Sequence, residues 1–215
     1  MVKFSLIAKI KFAKFATSVN SLSKDSLDQA FGALSAFLHE AGAEPESFVL
    51  IGGSALLALG LVTRVTRDAE ILAKVDAGLG LVDPRPLSQS LQMAALRVAR
   101  ELDLDDGWLN TGPADQVVAG LPVGFCDRLS AMQYGTHLKV YLPDRFDLIH
   151  LKLFAAVDDG GVGRHVKDLA AMSPSDGELS EAINRVLSQD SGEVFPALVR
   201  QAMKEMGYDR IVGRL

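Results

Sequence analysis

One cysteine, Cys126, in 215 residues leaves no material for an intrachain disulfide or a cysteine-based zinc cluster, and a reducing cytoplasm is the expected setting. Positive charge is in short supply as well. The 22 Lys and Arg against 27 Asp and Glu leave a net charge of −5, which excludes a surface coated in basic residues and restricts any nucleic-acid partner to a local groove. A long uninterrupted apolar run is also missing. The segment MVKFSLIAKIKFAKF carries Lys3, Lys9, Lys11 and Lys14 with no acid before Asp25. Its apolar residues are too broken for a signal peptide. Their alternation at Phe4, Leu6, Ala8, Ile10 and Phe12 predicts a half-buried strand rather than a membrane-surface helix, so no membrane partner is expected. His137, His150 and His165 lack metal-ligand spacing, and there is no internal repeat or low-complexity tract.

What remains is ordinary globular composition, 48% hydrophobic and 23% charged, enough for a real core. From Ser23 onward, Leu27, Phe31, Leu34 and Leu38 recur on one helical face, and Gly42 supplies a left-handed stop. Residues 48–51 read as a short buried strand, 54–59 as a short helix ended by Gly60, and 68–74 as a second strand. A rigid loop at residues 83–86 precedes an amphipathic helix built on Leu91, Ala94, Ala95, Val98 and Leu102. Residues 108–113 read as a loop in which Trp108 is a packing anchor. Strands are predicted over 123–129 and 137–142, and helices beyond Phe146, one of them starting at Ser173-Pro174. The expected organisation is an α/β (α+β) domain over residues 1–146, with a basic N-terminal extension at 1–22, followed by a helical domain over 147–215.

The stretch FVLIGGSALLALGLVTRVTRDAEILA, residues 48–73, carries the chemistry. Glycines directly after a buried strand let the backbone approach a ligand closely, and the amides that follow point at an anion, for which phosphate is the natural candidate. Ser54 is placed to cap the short helix and to offer its hydroxyl to a phosphate oxygen. On the second strand Asp68 and Glu70 share one face, about 7 Å apart by strand rise, while Ala69 and Ile71 face the core. Partly buried, the two anions repel by roughly 3 kcal/mol, and a hard cation such as magnesium is the compensation that suits them. Arg64 and Arg67 suit either neutralising phosphates or pairing with those acids. Lys152 stands opposite some of its helix's leucines and reads by default as solvated, while Lys167 and Asp168 read as capping or bridging helices.

Gly52-Gly53-Ser54, thirteen intervening residues and then Asp-x-Glu among hydrophobic neighbours resemble the signature of the DNA polymerase β-like nucleotidyltransferase superfamily. The later segments GWLNTGP, LPVGFCDRL, DLIHLKLFAAVDDG and HVKDLAAMSPSDGEL resemble an uncharacterised bacterial branch of it, similar to nucleotidyltransferase toxins of the AbiEii type. The resemblance covers roughly residues 45–205. It implies a mixed sheet with flanking helices and then a helical domain, with Gly52, Gly53, Ser54 and Lys152 binding nucleotide and Asp68 and Glu70 binding Mg2+ or Mn2+. A third carboxylate is implied on a neighbouring strand, and Asp127 is the candidate for it.

The activity implied is transfer of a nucleoside monophosphate from a nucleoside triphosphate to a hydroxyl on RNA, protein or a small molecule, with an antitoxin or operon partner. Glutamate at position 70, where aspartate is commoner, also admits a catalytically impaired fold serving as a nucleotide sensor or partner-binding module in a toxin-antitoxin or defence system.

Overall fold

The computed structural model describes residues 21–189, 192 and 194–213; the strand expected at residues 4–12 lies outside them. The first helix, α1 (Lys24–Glu40), begins where the sequence places it. The Ser23 hydroxyl accepts the Ser26 N–H and the Ser26 hydroxyl accepts the Ser23 N–H, a reciprocal cap. Leu27, Phe31, Leu34 and Leu38 are all buried, and Gly42 follows the helix at φ 62°.

Strand β1 (Glu46–Ile51) is central. Phe48 and Leu50 enter the main core, whereas Val49 and Ile51 enter a second cluster on the opposite face with Leu72, Ala73, Phe125 and Leu151. A strand covered on both sides must be apolar at every position, which is why it reads as a continuous run rather than an alternation. Burying each of these large side chains contributes roughly 1.5–3 kcal/mol.

After β1 come α2 (Gly52–Ala58), β2 (Ala69–Val75), β3 (Leu81–Val82), α3 (Gln89–Leu102), β4 (Leu109–Asn110), α4 (Asp115–Ala119), β5 (Ser130–Tyr134) and β6 (Leu138–Leu142). Among the described residues the sheet runs β3-β2-β1-β6-β5. β1 is antiparallel to β2 and parallel to β6, and the short β4 lies parallel beside β2. The helices α5 (Arg145–Asp158), α6 (Arg164–Ala171), α7 (Asp176–Gln189), α8 (Val194–Glu205) and α9 (Asp209–Val212) complete the described chain. The result is the expected α/β architecture, a mixed sheet with flanking helices. One hydrophobic cluster joins Leu50 and Val140 of the sheet to Leu148 and Leu153 of α5 and to Leu179 and Val199 beyond. The expected division at 146/147 therefore falls in the first turn of α5, and the cluster continues across it.

Trp108 is fully buried, donates its indole N–H to the Ala95 carbonyl at 3.0 Å and packs against Phe31. It anchors the chain just before β4. Three local readings are corrected. The strand expected over 123–129 is instead a turn and a 3-10 segment, Cys126–Arg128, because Pro122 starts the bend and Gly124 adopts φ 75°; the real strand, β5, begins at Ser130. The helix expected from Pro174 starts at Asp176, where Ser175 and Glu178 exchange hydrogen bonds between side chain and backbone. The helix expected from residue 54 starts at Gly52 and has no side-chain cap, so Ser54 sits inside its first turn.

Candidate functional site

The turn from β1 into α2 is built on contact with Glu70. Gly52 has φ 74°, and a Cβ there would fall on the Glu70 carboxylate. The glycine is therefore required twice, by its backbone conformation and by its neighbour. The Gly53 amide faces the same carboxylate and helps hold its negative charge.

Gly53 is closely packed too. A Cβ on it would lie 3.0 Å from Thr66 Oγ1 and 3.1 Å from the Arg64 guanidinium. Thr66, itself buried, donates to Asp68 at 3.3 Å to the backbone oxygen and 3.4 Å to Oδ1. Ala69 and Ile71 are in the core, and half-buried Asp68 and Glu70 flank Ala69. Burial pushes the Glu70 carboxyl above its ordinary range; Lys152 opposes this most strongly, Asp68 adds to it, and Arg164 opposes it.

Behind Glu70 lies a charged network that the sequence shows only in fragments. Lys152, on α5, is buried rather than solvated, which corrects the default reading of that residue. Its ammonium lies 3.0 Å from Asp168 and 3.4 Å from His165 Nδ1. Asp168 is 1% exposed and also receives Arg64 in a two-pronged pair at 2.6 and 2.5 Å. Burial alone would raise the Asp168 carboxyl, but the hydrogen bonds and charges of Arg64 and Lys152 outweigh it and hold the group below its ordinary range. Asp168 does bridge, as expected, although it joins α6 to α5 and to the loop before β2. Arg64, for which the sequence left two roles open, pairs with Asp168.

Two cavities adjoin these residues. The larger, about 790 Å3, is lined by Arg64, Thr66, Arg67, Asp68, Trp108 and Arg164, among others. The smaller, about 30 Å3, lies against Gly52, Glu70, Gln116, Lys152 and His165. The larger is of the size that holds small organic ligands, and the smaller holds about one water-sized object. Ser54 reaches neither cavity. It is fully buried and its hydroxyl donates to the Ile51 carbonyl at 3.0 Å.

Asp127 is exposed on the 3-10 segment and lines neither cavity; its neighbour Arg128 is paired with buried Asp147 at 3.0 and 2.6 Å. Beside the opening of β2, on the edge away from β1, runs the short β4, which sets Asn110 opposite Glu70. Sequence reading missed Asn110, Gln116 and Arg164 and set His165 aside. The first sits on a two-residue strand with no periodicity to reveal it, and the other three become relevant only through nonlocal packing.

A divalent cation is judged by the donors present. Asp68 and Glu70 supply hard oxygen, burial disfavours the charge on Glu70, and Gln116, which lines the smaller cavity, has a buried Oε1 without a hydrogen-bond donor. Among the described residues no group of three or more His, Cys, Asp and Glu could hold an ion. The set suits a hard cation that brings its remaining oxygens with it, from water or from phosphate.

Residues 26–161 match a protein family described as "Nucleotidyltransferase of unknown function (DUF6036)". The chain belongs to that nucleotidyltransferase family. The matched region runs from α1 through α5 and so contains the glycine turn, Asp68, Glu70 and Lys152, whereas Arg164, His165 and Asp168 lie beyond it. No curated protein and no solved structure matches the chain. Among the described residues no helix is long and apolar enough to cross a membrane.

His165 gives the region around Glu70 and Lys152 a pH dependence of stability. Burial, and then the charges of Lys152 and Arg164, push its imidazole down to about 4. A base depressed in the folded state contributes stability that is complete above the unfolded value near 6.5 and is lost as pH falls toward 4. Full depression corresponds to about 3 kcal/mol, and partial exposure reduces the expected loss to roughly 1–2 kcal/mol. Urea denaturation at pH 7 and pH 4.5 should show this extra loss in the wild type and not in His165→Gln. Equal pH sensitivity in both proteins would refute the assignment.

Proposed function

We propose that the chain binds a nucleoside triphosphate in the larger cavity, with Mg2+ or Mn2+ at Asp68 and Glu70, and transfers its nucleoside monophosphate to an acceptor hydroxyl. The observation that carries this reading is the apposition of Glu70 to the Gly52-Gly53 turn, with Asp68 two residues earlier on the wall of a cavity also lined by Arg64, Arg67 and Arg164. Asp68 thus shares a cavity with guanidinium groups suited to phosphate, while Glu70, two residues along, lies against the smaller cavity.

The acceptor oxygen attacks the α-phosphorus in line, the bond to the β-phosphate bridging oxygen breaks, and pyrophosphate leaves with that electron pair. The acceptor proton passes to Asp68 or to solvent. A bound cation would neutralise charge on the transferring phosphate and the leaving group. The chain's own contribution is positioning: the Gly53 amide steadies the Glu70 carboxylate, Arg164 and Arg67 border the phosphate path, and Lys152 balances Glu70 from behind. Among RNA, protein and small-molecule acceptors, the likeness to AbiEii-type toxins favours RNA, together with an antitoxin partner.

A second reading, nucleotide sensing without transfer, draws support from the engaged Ser54 hydroxyl and from the neutral Asn110 beside Glu70. One set of measurements separates the two. Thermal denaturation with each nucleoside triphosphate, with and without Mg2+ or Mn2+, should show a gain of about 2.7 kcal/mol at 100 times the dissociation constant. The transferase reading expects that gain to need the cation, to vanish in Asp68→Asn, and to be accompanied by movement of an α-phosphate label onto acceptor. Cation-independent stabilisation without label transfer supports the sensor. No stabilisation with any nucleotide would sink both.

A further inference from the structure

Sheet register places an amide side chain beside Glu70. β2 and β4 run parallel, pairing Ala69 with Leu109 and Glu70 with Asn110. Ala69 and Leu109 both enter the main core, so the residue after each stands on the opposite face, and Asn110 shares that face with Glu70. The Asn110 side chain is held there: its Oδ1 accepts the Gly112 N–H at 2.9 Å, closing a tight turn. A carbonyl oxygen has two lone pairs, so one remains after this bond.

The segment that follows bends over the acids. Pro113 and Gln116 line the small cavity with Glu70, and the buried Gln116 Oε1 lacks a donor. The residues that Glu70 meets on the β4 side thus include two neutral amides, Asn110 across the ladder and Gln116 in the small cavity, which add no further negative charge.

We infer that Asn110 is the third protein oxygen donor of the cation site, and that its neutrality makes the cation enter with the nucleotide rather than ahead of it. This rests on the reading that Asp68 and Glu70 hold the cation. Affinity for a hard divalent ion follows the number of charged ligands. With two carboxylates, one of them balanced from behind by Lys152, the free protein binds the ion weakly, and the triphosphate supplies the missing charge. The chain thus recognises a cation–triphosphate complex as a unit and discriminates against the bare ion.

The test is Mn2+ binding to the full chain by electron paramagnetic resonance, without nucleotide and with a non-hydrolysable nucleoside triphosphate. Wild type, Asn110→Asp, Thr111→Asp and Asp68→Asn are compared, with melting curves confirming that each folds. Aspartate at position 110 retains the acceptor for the Gly112 N–H, so the turn survives the substitution. The expected result is weak Mn2+ binding to the free wild type, tightened about tenfold or more by Asn110→Asp, with Thr111→Asp, which adds the same charge one residue beyond the strand, tightening it no more than about twofold. Equal effects of Asn110→Asp and Thr111→Asp would overturn the inference, as would nucleotide-independent tight binding by the wild type. Unchanged Mn2+ binding in Asp68→Asn would instead overturn the underlying assignment of the acids.

Discussion

Asp168→Ala is expected to lower the free energy of unfolding by roughly 3–5 kcal/mol, the range for breaking a buried ion pair by deleting one partner. Its carboxylate is 1% exposed and takes charged hydrogen bonds from both Arg64 and Lys152. The two cations do not suffer equally when it is removed. The Arg64 side chain is 40% exposed and can turn to water, whereas Lys152 is 4% exposed and keeps no hydrogen-bonded anion, only the nearby charge of Glu70 and His165, which is neutral at pH 7. The damage should therefore concentrate on Lys152. Replacing it by a similar apolar side chain removes the stranded charge, so Lys152→Met should recover about half or more of the loss in the Asp168→Ala background, although the same change in wild type destabilises. Urea denaturation of the four proteins gives the coupling directly. If Lys152→Met costs as much without Asp168 as with it, the two side chains are energetically independent and the network is not what holds α6 against α5.

What the sequence revealed follows how local each cause is. The apolar run at residues 48–51 marks β1 because both faces of that strand are covered, and Gly52-Gly53 marks the turn because no other residue can adopt φ 74° against Glu70 without strain. Alternation around Ala69 placed the two acids together. Each of these signals is complete within a few residues. Lys152 and Asp168 could not be read that way, since a lysine among leucines looks solvated until a buried carboxylate from another helix is found beside it. Asn110 was hidden for a different reason: a two-residue strand has no period, and only its ladder with β2 gives it a position. Asp127 was misplaced by the same limit in reverse, because apolar residues at 121, 123, 125 and 129 imitate a strand that Pro122 and Gly124 do not allow.

The site is balanced by charges drawn from separate parts of the fold. Asp68 and Glu70 come from the segment entering and opening β2, Arg64 from the loop before it, Lys152 from α5, and Arg164 and Asp168 from α6. The family match ends at residue 161, within the link between α5 and α6. The last two charges thus come from beyond the matched region, although they act on groups inside it. Neutralising Glu70 is therefore a task shared between the α/β layer and the helices that follow it, and it ties the electrostatics of the acids to how α6 is docked.

Gly52→Ala is the substitution expected to injure stability and site together. An alanine at φ 74° pays about 1–2 kcal/mol in backbone strain, and its Cβ would also displace the Glu70 carboxylate. A glutamate side chain can swing aside, but doing so removes its charge from the Gly53 amide and moves it relative to Lys152. The total expected loss is about 2–4 kcal/mol, and cation-dependent stabilisation by nucleotide should disappear. Gly53→Ala is the milder neighbour, since its φ is not positive and the added Cβ meets Thr66 Oγ1 and Arg64 at 3.0 and 3.1 Å. The decisive comparison places Gly52→Ala in a Glu70→Ala background. There the carboxylate is gone, and only the backbone share of about 1–2 kcal/mol should remain. Were Gly52→Ala to cost the same in both backgrounds, the carboxylate would not lie against the glycine turn, and the apposition on which nucleotide binding was argued would be lost with it.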